Sequence, residues 1–342
     1  MADVDVDLQA VHDAMVSAAY EAGKMILAAN PADIDTGTKL NWVPSLAPRA
    51  AVDIVTEVDK GVEKMVSGRL AAAFPSFAFM GEETYKPGVR LGPEPTFVVD
   101  PIDGALSLSP LPVTQMTTWL SSTTTAAITT AASAAACGTT NFVHSFPNAC
   151  ISLGLAVDRR PAVGVIYNPW QDLLFTAVRG RGAHMTRIRG TPPQRLPLAR
   201  SPRPLTGLGS ALLAVEWGSD REGANFDAKA AIFRQLAASR ESGGSMVHSL
   251  RSLGSAALNM AAVAAGQLDA YWEGGCWAWD VCAGWCILEE AGGRVVGGNP
   301  RDWDTPLESR VYLAVRGAPT GQEELVEEFW AVMGDRKLEY SV

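Results

Sequence analysis

The sequence predicts a layered protein with an α+β N-terminal half and an α/β C-terminal half. Over residues 148–185, short apolar runs alternate with turn residues such as DRRP, NPWQD and GRG, a pattern typical of an antiparallel meander. Over 211–317, strand-like runs alternate with helical stretches, and this order favours helices packed on a sheet. The stretch RLPLARSPRPLTG is the predicted linker, so we place the two halves at 1–195 and 196–342.

The first half is predicted to begin with two helices. Apolar residues recur at helical spacing up to Asn30-Pro31, on a stripe made of Leu8, Val11, Met15, Ala18, Ala19, Ala22 and Ile26. A loop with two prolines, NWVPSLAPRA, follows it. The second helix is predicted to run from Asp59 to just before Pro75.

Two short apolar runs, FAFMGEE and TFVVD, then predict strands whose acidic ends converge. The strand would fix Asp100, Pro101 would end the ladder, and a turn would bring Asp103 back toward the same point. Gly104 would let backbone amides approach a phosphate closely. The sequence therefore predicts carboxylates for a cation beside amides for a phosphate.

The second half is predicted to contain three helices and four strands. The helices are a stretch near 226–239, GSAALNMAAVAAG and DVCAGWCILEEAGG. The strands are ALLAVEWG, LDAYWEG, RVVGG and RVYLAVRG. Cys282 and Cys286 lie four residues apart on one of these helices, and we expect them in the core.

Composition excludes several classes of partner. The chain has 342 residues, 47% of them hydrophobic, and a formal net charge of −9 without a run of Lys or Arg, which argues against nucleic acid or an anionic membrane as partner. An odd number of cysteines, five, fits reduced thiols. Acids stand where a signal peptide would carry basic residues, so we expect a cytoplasmic protein.

Acids cluster at the ends of several apolar segments. The clusters contain Asp53 and Asp59, Glu82 and Glu83, Asp100 and Asp103, and Asp280. Each alone is typical of a surface turn, a solvated loop or a helix cap. Together they would bury negative charge at a high cost unless a cation lies among them. Oxygen ligands without clustered His or Cys favour Mg²⁺, Mn²⁺ or Ca²⁺ over Zn²⁺, so the pattern indicates metal-assisted phosphoester hydrolysis.

Two longer motifs carry a family resemblance. FVVDPIDG, followed later by TTNFVHSFP, and WDVCAGWCILEEAGG resemble the two signatures of the inositol monophosphatase family of Mg²⁺-dependent, lithium-sensitive phosphatases. DIVTEVDKGVEKM, FPSFAFMGEE and SLRSLGSAALNMAAVAAGQLDAYWEGG match in order along nearly the whole chain. The resemblance implies a layered αβαβα sandwich, the sugar-phosphatase fold, and a homodimer.

The segment 105–138 interrupts the first signature. In the family DPIDG runs directly into TTNF, whereas here TTNF resumes at Thr139. The part 119–137 approaches a membrane span in length, but Thr and Ser interrupt it, so we interpret it as part of an insert. We hypothesise a retained intron or gene-model error, with a genuine insertion as the alternative. A transcript that joins the Gly104 codon to the Thr139 codon would confirm the first interpretation.

The resemblance also implies a ligand set for two Mg²⁺ ions. Glu82, Asp100 and the carbonyl of Ile102 would hold the first, and Asp100, Asp103 and Asp280 the second. The ions would polarise the phosphate and lower the pKa of a bound water. A third, weaker ion would depend on Glu82 and water.

The proton acceptor and the phosphate contacts follow from the same resemblance. Glu82, or Asp59 acting through a threonine hydroxyl, would deprotonate the attacking water. Because Ala105 follows Gly104 here, the threonine role passes to Thr139, whose amide would also contact the phosphate. Gly104 would contribute to the same phosphate contact.

The alcohol half of the substrate would contact Ser219, Ala256 and Glu273, since a carboxylate can accept hydrogen bonds from vicinal ring hydroxyls. The expected substrate is an inositol monophosphate, a small polyol phosphate. Two alternatives are open: a phosphatase of another small phosphate, such as a sugar phosphate or nucleotide bisphosphate, and a binding protein impaired in catalysis by the interrupted loop.

Overall fold

The computed structural model describes residues 6–29, 48–103, 141–142 and 144–341, with 48–56 described by their backbone alone. Gly104, Thr139 and the whole of the proposed insert at 105–138 lie outside the described residues. The structure therefore tests the scaffold and the carboxylates of the predicted site, and leaves the phosphate-binding loop as a prediction.

The first sheet has seven strands in the order of the chain, β1 to β7. β1 is parallel to β2, and every later pair is antiparallel, which confirms the predicted meander. The strands are β1 Ala78–Gly81, β2 Thr96–Asp103, β3 Cys150–Val157, β4 Arg160–Asn168, β5 Leu173–Val178, β6 Gly182–Arg187 and β7 Gln194–Arg195.

The second sheet has five strands in the order β11-β12-β10-β8-β9. The β8, β9 and β10 strands are parallel neighbours, whereas β12 is antiparallel to both β10 and β11. The strands are β8 Leu212–Val215, β9 Ser249–Arg251, β10 Ala270–Gly274, β11 Arg294–Gly297 and β12 Val311–Val315. This mixed sheet matches the predicted alternation of helices and strands, but β9 and a C-terminal helix, Gln322–Met333, were not predicted, so the described part of the second half has five strands and four α-helices.

Six α-helices complete the described part of the chain: α1 Leu8–Ala28, α2 Pro48–Ala73, α3 Gly223–Ala237, α4 Ala256–Ala265, α5 Ala278–Glu290 and α6 Gln322–Met333. One core lies between the α1/α2 pair and the first sheet, a second contains α4 and α5 between the two sheets, and a third joins the outer face of the second sheet to α3 and α6. The layers are therefore α, β, α, β and α, which confirms the predicted αβαβα fold. None of the described helices combines the length and the apolar character needed to cross a membrane.

Local sequence explains the position of α1. Asp7 caps the helix, since its side chain accepts hydrogen bonds from the amides of Gln9 at 3.0 Å and Ala10 at 3.1 Å. All of the predicted apolar stripe is buried except Leu8, which packs at the edge of the core. Gly23 lets the helix approach β4, because a Cβ atom there would lie 2.4 Å from the ring of Tyr167.

The structure corrects three predicted boundaries. Helix α2 begins at Pro48, so the last residues of the predicted loop are helical, because proline is tolerated in a first turn where its missing N–H has no intrahelical partner. Strand β2 does not end at Pro101 but continues to Asp103. Helix α5 begins at Ala278, which places Asp280 inside the first turn and not at the cap.

Small residues seat α5 between its neighbours. A Cβ atom on Gly164 would lie 2.3 Å from the carbonyl oxygen of Ala283, and one on Gly154 would lie 2.5 Å from the sulfur of Cys282. Gly284 allows the same close approach to Met260 on α4. Cys282 and Cys286 are buried in this core, as predicted. The helix that carries Asp280 is therefore tightly packed against β3 and β4.

Candidate active site

Three predicted metal ligands converge on one point. Asp100, Asp103 and Asp280 each offer a carboxylate oxygen, and these oxygens lie within 4.8 Å of one another. Asp100 and Asp103 come from the end of β2, and Asp280 comes from the first turn of α5. The first half and the second half of the chain thus contribute carboxylates to the same cluster.

An irregularity in β2 explains why both aspartates lie together. Asp100 pairs with Ser152 and Asp103 with Cys150, so two residues of β2 face a single residue of β3. Val98 belongs to the central core, and normal alternation places Asp100 on that same face. In a regular strand Asp103 would then point the opposite way. The bulge instead sends Ile102 into the core under α1 and α2 and returns Asp103 to the side of Asp100.

The N-terminus of α4 holds Asp103. Its carboxylate accepts hydrogen bonds from the Ser255 hydroxyl at 2.6 Å and the Ala257 amide at 2.8 Å. Ser255 is also the cap of α4, accepting from the Leu258 amide at 3.2 Å. Ala256, predicted to contact a ring hydroxyl, is the first residue of this helix, and its amide also acts on Asp103. Ser255 was not predicted, although a serine before an Ala-rich helix is a typical cap signal.

The loop just before α5 holds the side chain of Asp280 in place. Its carboxylate accepts a hydrogen bond from the Trp277 amide at 2.6 Å. The guanidinium of Arg310 lies 3.4 Å from the centre of the Trp277 ring and donates to the carbonyls of Cys276 and Gly275, each at 2.8 Å. Arg310 was missed because no local motif marks a residue that acts on a loop 35 positions earlier.

Glu82 and Asp59 lie beside the cluster. Parallel pairing of β1 with β2 places Glu82 at the end of β1, where its amide donates to the Val99 carbonyl at 3.2 Å and its carboxyl contacts Asp100. Asp59 on α2 is 2% exposed, and its charge acts on Asp100. The structure therefore brings together all the predicted acidic ligands and both acidic candidates for proton transfer.

Burial and mutual repulsion make this cluster costly to ionise. Burial raises the pKa of Glu82 and of Asp100 well above their ordinary values, and the neighbouring carboxylates raise them further. The pKa of Asp59 is raised in the same way, first by burial and then by Glu82. A cation among the acids would oppose both effects.

The donor atoms fit a hard divalent cation. One oxygen of Asp100 and one of Asp59 are buried without a hydrogen-bond partner, although buried carboxylate oxygens are normally satisfied. The converging side chains supply oxygen ligands, the preference of Mg²⁺ and related ions. The residues present therefore fit the metal that the resemblance implies.

Two of the predicted alcohol-binding residues belong to neighbouring strands of the second sheet and the loops beside them. Glu273 on β10 is 8% exposed and accepts a hydrogen bond from the Tyr271 hydroxyl. Burial, and then the charge of Glu216, raises the pKa of Glu273 to about 8, and the charge of Asp280 adds to this effect. Ser219 is partly exposed in the loop after β8. The electrostatic link between Glu273 and Asp280 places Glu273 on the side of the carboxylate cluster.

A lysine that was not predicted connects the loop after β8 to the end of β10. The ammonium of Lys229 on α3 donates to the Trp217 carbonyl at 2.8 Å and the Gly274 carbonyl at 2.9 Å. Trp217 lies two residues before Ser219, and Gly274 directly follows Glu273. Lys229 is 4% exposed and also pairs with Asp220 at 3.3 Å. The loop that carries Ser219 and the strand that carries Glu273 therefore both bind the buried ammonium group of Lys229.

Comparison with known proteins gives a consistent result. A sequence profile described as the Inositol monophosphatase family matches residues 7–107 and 137–333. The interval it skips, 108–136, falls inside the interrupted segment described above. The chain is 45% identical to Inositol monophosphatase 2 of Saccharomyces cerevisiae over 285 residues, covering 82% of each protein. It is 40% identical to Inositol monophosphatase 1 of the same yeast over 300 residues, covering 86% of this chain and 88% of the yeast protein.

The fold agrees with this similarity. The structure of inositol monophosphatase from Anabaena (Nostoc) sp. PCC 7120 superimposes with a TM-score of 0.64 at 27% sequence identity, covering 95% of this chain and 96% of that one. Extensive sequence similarity, a shared layered fold and a convergent set of buried carboxylates lead to one conclusion: the chain belongs to the inositol monophosphatase family.

Proposed function

We propose that this protein is a Mg²⁺-dependent phosphomonoesterase that hydrolyses inositol monophosphate, with myo-inositol 1-phosphate as the preferred substrate, to inositol and phosphate. The observation that carries the proposal is the convergence of Asp100, Asp103 and Asp280 within 4.8 Å in a chain of this family. Buried carboxylates this close together are costly to ionise unless a cation neutralises them.

The proposed ligands divide between two Mg²⁺ ions. Glu82, Asp100 and the main-chain oxygen of Ile102 would hold one, and Asp100, Asp103 and Asp280 would hold the other. Bound Mg²⁺ would polarise the phosphoryl oxygens and make a water molecule more acidic. The unpartnered oxygen of Asp100 supports its proposed role as the ligand that both ions share.

The residues of the chain would then orient and deprotonate the nucleophile. Glu82 is the first candidate for the base, since its carboxyl lies next to Asp100 and a raised pKa suits a group that must accept a proton near neutral pH. Asp59, acting through the Thr139 hydroxyl, is the second candidate. The amides of Gly104 and Thr139 would hold the phosphate.

The alcohol would contact the second half of the protein. Ser219, Ala256 and Glu273 are the proposed contacts to ring hydroxyls. Glu273 stands nearly buried beside the cluster, and a site built to bind hydroxyls rejects substrates that lack them, because its own polar groups would be left unpaired. This supports a phosphate ester of a hydroxyl-rich alcohol, and the match to the inositol monophosphatase family favours inositol monophosphate over a sugar phosphate or nucleotide bisphosphate.

The proposal is tested by phosphate release. The full chain should release phosphate from myo-inositol 1-phosphate with Mg²⁺ and not with a chelator, and Asp100→Asn should abolish turnover while the circular dichroism spectrum stays unchanged. Full residual activity in Asp100→Asn would overturn the metal assignment.

A variant that lacks residues 105–138 separates the remaining alternatives. Activity in the shortened chain alone would mean that the segment blocks the site and that the active protein lacks it. Inactivity of both chains, with Mg²⁺ binding retained, would favour a binding protein. Faster release from fructose 1,6-bisphosphate or a nucleotide bisphosphate would reject inositol monophosphate as the preferred substrate.

Several properties of the whole protein remain proposals. We propose a homodimer, inhibition by lithium, a cytoplasmic location, and two halves that meet at residues 195 and 196. Light scattering on the purified protein tests the first of these, and phosphate release in the presence of LiCl tests the second.

A further inference from the structure

The turn made of Ser252, Leu253 and Gly254 precedes the cap of α4 and is bound by one buried carboxylate. Glu216, which directly follows β8, is 2% exposed. One of its oxygens accepts from the amides of Leu253 at 2.6 Å and Gly254 at 2.9 Å, and the other accepts from the Ser252 hydroxyl at 2.7 Å. Every residue of the turn therefore donates a hydrogen bond to Glu216.

The carboxylate also binds the helix that follows the turn. The amide of the Asn259 side chain on α4 donates to Glu216 at 2.8 Å. Four donors thus surround a buried negative charge, and their hydrogen bonds offset the cost of removing it from water. Glu216 fixes the turn before α4 and the first turns of α4 relative to each other.

Two asparagines from the first half also bind this turn. The Leu253 carbonyl accepts from the side-chain amides of Asn141 at 2.7 Å and Asn148 at 2.9 Å. Gly254 has a φ of +73°, and a Cβ atom there would lie 3.0 Å from the Asn141 amide, so the close fit requires glycine. The turn is therefore clamped between the end of β8 and a segment of the first half.

The clamped turn leads directly to the group that orients Asp103. Ser255 follows Gly254, and its hydroxyl and the Ala257 amide donate to the Asp103 carboxylate at 2.6 Å and 2.8 Å. A shift of the turn would move both donors, because the turn and the first residues of α4 are continuous in the chain. A displacement of Glu216 would therefore move the turn, and the turn would move the two donors that hydrogen-bond to Asp103.

We propose that Glu216 is a positioning residue for the metal site, which holds Ser255 and Ala257 where they orient Asp103 toward the cation. The inference rests on the proposed role of Asp103 as a metal ligand. Glu216 would touch neither the cation nor the substrate, and its effect would be seen as cation affinity in the absence of substrate.

The test uses the full chain and Mn²⁺ as the probe, measured by electron paramagnetic resonance without substrate. Glu216→Gln keeps the size of the side chain but replaces an acceptor oxygen with a donor, which opposes at least one donor of the turn. We expect Mn²⁺ to bind about tenfold more weakly, as is typical when groups that orient a metal ligand are lost.

Asp269→Asn is the matched control. Asp269 accepts from the Leu212 amide at 2.8 Å at the start of β8 and pairs with Arg316 at 2.7 Å, away from the turn. This substitution should lower the melting temperature, because it removes a carboxylate that stabilises the start of β8. It should leave the Mn²⁺ affinity within about twofold of the native value, because Asp269 does not contact the turn.

A double-mutant cycle tests whether the effect of Glu216 on the metal site depends on Ser255. If Glu216 acts through Ser255, Glu216→Gln should weaken Mn²⁺ binding much less in a Ser255→Ala background than in the native chain. Unchanged affinity in folded Glu216→Gln, or fully additive effects in the double variant, would overturn the inference. Failure of the native chain to bind Mn²⁺ would instead reject the proposed metal site, and Mn²⁺ binding without phosphatase activity would reject only the proposed reaction.

Discussion

At the scale of single residues, the acids of the site differ in how they are held. Asp103 is engaged by Ser255 and Ala257, whereas Asp100 keeps an oxygen without a partner. Glu273 accepts a hydrogen bond from Tyr271, and burial raises its pKa to about 8. These differences predict separable effects on cation binding and on recognition of the alcohol.

Glu273→Gln tests recognition of the alcohol. We expect the KM for myo-inositol 1-phosphate to rise by up to about tenfold, the effect of one lost hydrogen bond. The kinetics with glycerol 2-phosphate, which has no ring hydroxyls, should change by less than about twofold by the same argument. Equal losses with both substrates in a phosphate-release assay would assign Glu273 to the metal site instead.

At the scale of elements, the site depends on how helices are seated between the sheets. Helix α5 reaches β4 only because Gly164 has no side chain, and α3 contacts the loop after β8 and the end of β10 through Lys229. Both contacts involve backbone atoms of the neighbouring element, which have little freedom to move aside. Substitutions at these positions should therefore act on the site from a distance.

Gly164→Ala tests how tightly α5 packs against β4. The new methyl group would lie 2.3 Å from the Ala283 carbonyl oxygen, so α5 must shift, and with it Asp280. We expect the free energy of unfolding to fall by about 1–3 kcal/mol, together with weaker Mg²⁺ binding. Urea unfolding and calorimetry measure the two effects.

The control for this substitution is Gly68→Ala on α2, where a Cβ atom meets nothing within 4 Å. Its free energy of unfolding should rise by up to about 1 kcal/mol because alanine favours the helix. Equal stability of the Gly164→Ala variant and the native chain would show that α5 is not tightly seated.

Lys229→Met tests the connection between the loop after β8 and the end of β10. Loss of the ammonium leaves the Trp217 and Gly274 carbonyls without their donor, at a cost of about 1–3 kcal/mol for the buried Gly274 carbonyl. We expect a higher KM for myo-inositol 1-phosphate with little change in the Mg²⁺ concentration needed for activity. Lys24→Met, on the exposed side of α1, should leave both kinetic values unchanged. A change confined to the Mg²⁺ requirement would contradict the proposed role.

At the scale of the whole molecule, the two halves of the chain share one buried cluster of negative charge. The N-terminal half contributes Asp59, Glu82, Asp100 and Asp103, and the C-terminal half contributes Asp280. Burial, and then the charge of Asp280, raises the pKa of Asp103 to about 7, and burial raises the pKa of Asp280 to about 6. Assembly of the fold is therefore coupled to the binding of protons.

The stability of the metal-free protein should depend on pH for this reason. Between about pH 4 and about pH 7 the folded protein binds more protons at these aspartates than the unfolded chain does, so its stability falls as pH rises. We expect the melting temperature in chelator to be lower at about pH 7 than at about pH 5, and Mg²⁺ to restore it at about pH 7 by binding only the folded state.

Asp103→Asn should flatten this pH dependence, because the substituted side chain no longer takes up a proton. Thermal unfolding followed by circular dichroism provides the measurement. A melting temperature in chelator that rises steadily from about pH 5 to about pH 7 would contradict the argument.

The sequence predicted the acids and the layers but not the contacts that orient them. Asp100 and Asp280 could be found because each adjoins an apolar segment with a clear period. The bulge at Asp103 could not, since the register of β2 depends on β3, nearly fifty residues later. Arg310 and Lys229 were missed because they act through main-chain carbonyls of distant loops, and such contacts leave no local pattern. The start of α2 was misplaced because Pro48 suits either a loop or a first helical turn.

The bulge in β2 has a consequence for main-chain chemistry. A regular strand with the motif Asp-x-Asp would present two carboxylates on one face while every peptide oxygen stayed committed to its neighbouring strand. In the described register, Pro101 and Ile102 lie opposite the single residue Ile151, so the regular pairing of β2 with β3 is interrupted there. The carbonyl of Ile102, proposed above as a ligand, would then supply a neutral oxygen between two anionic ones, and a cation could be bound without another negative charge.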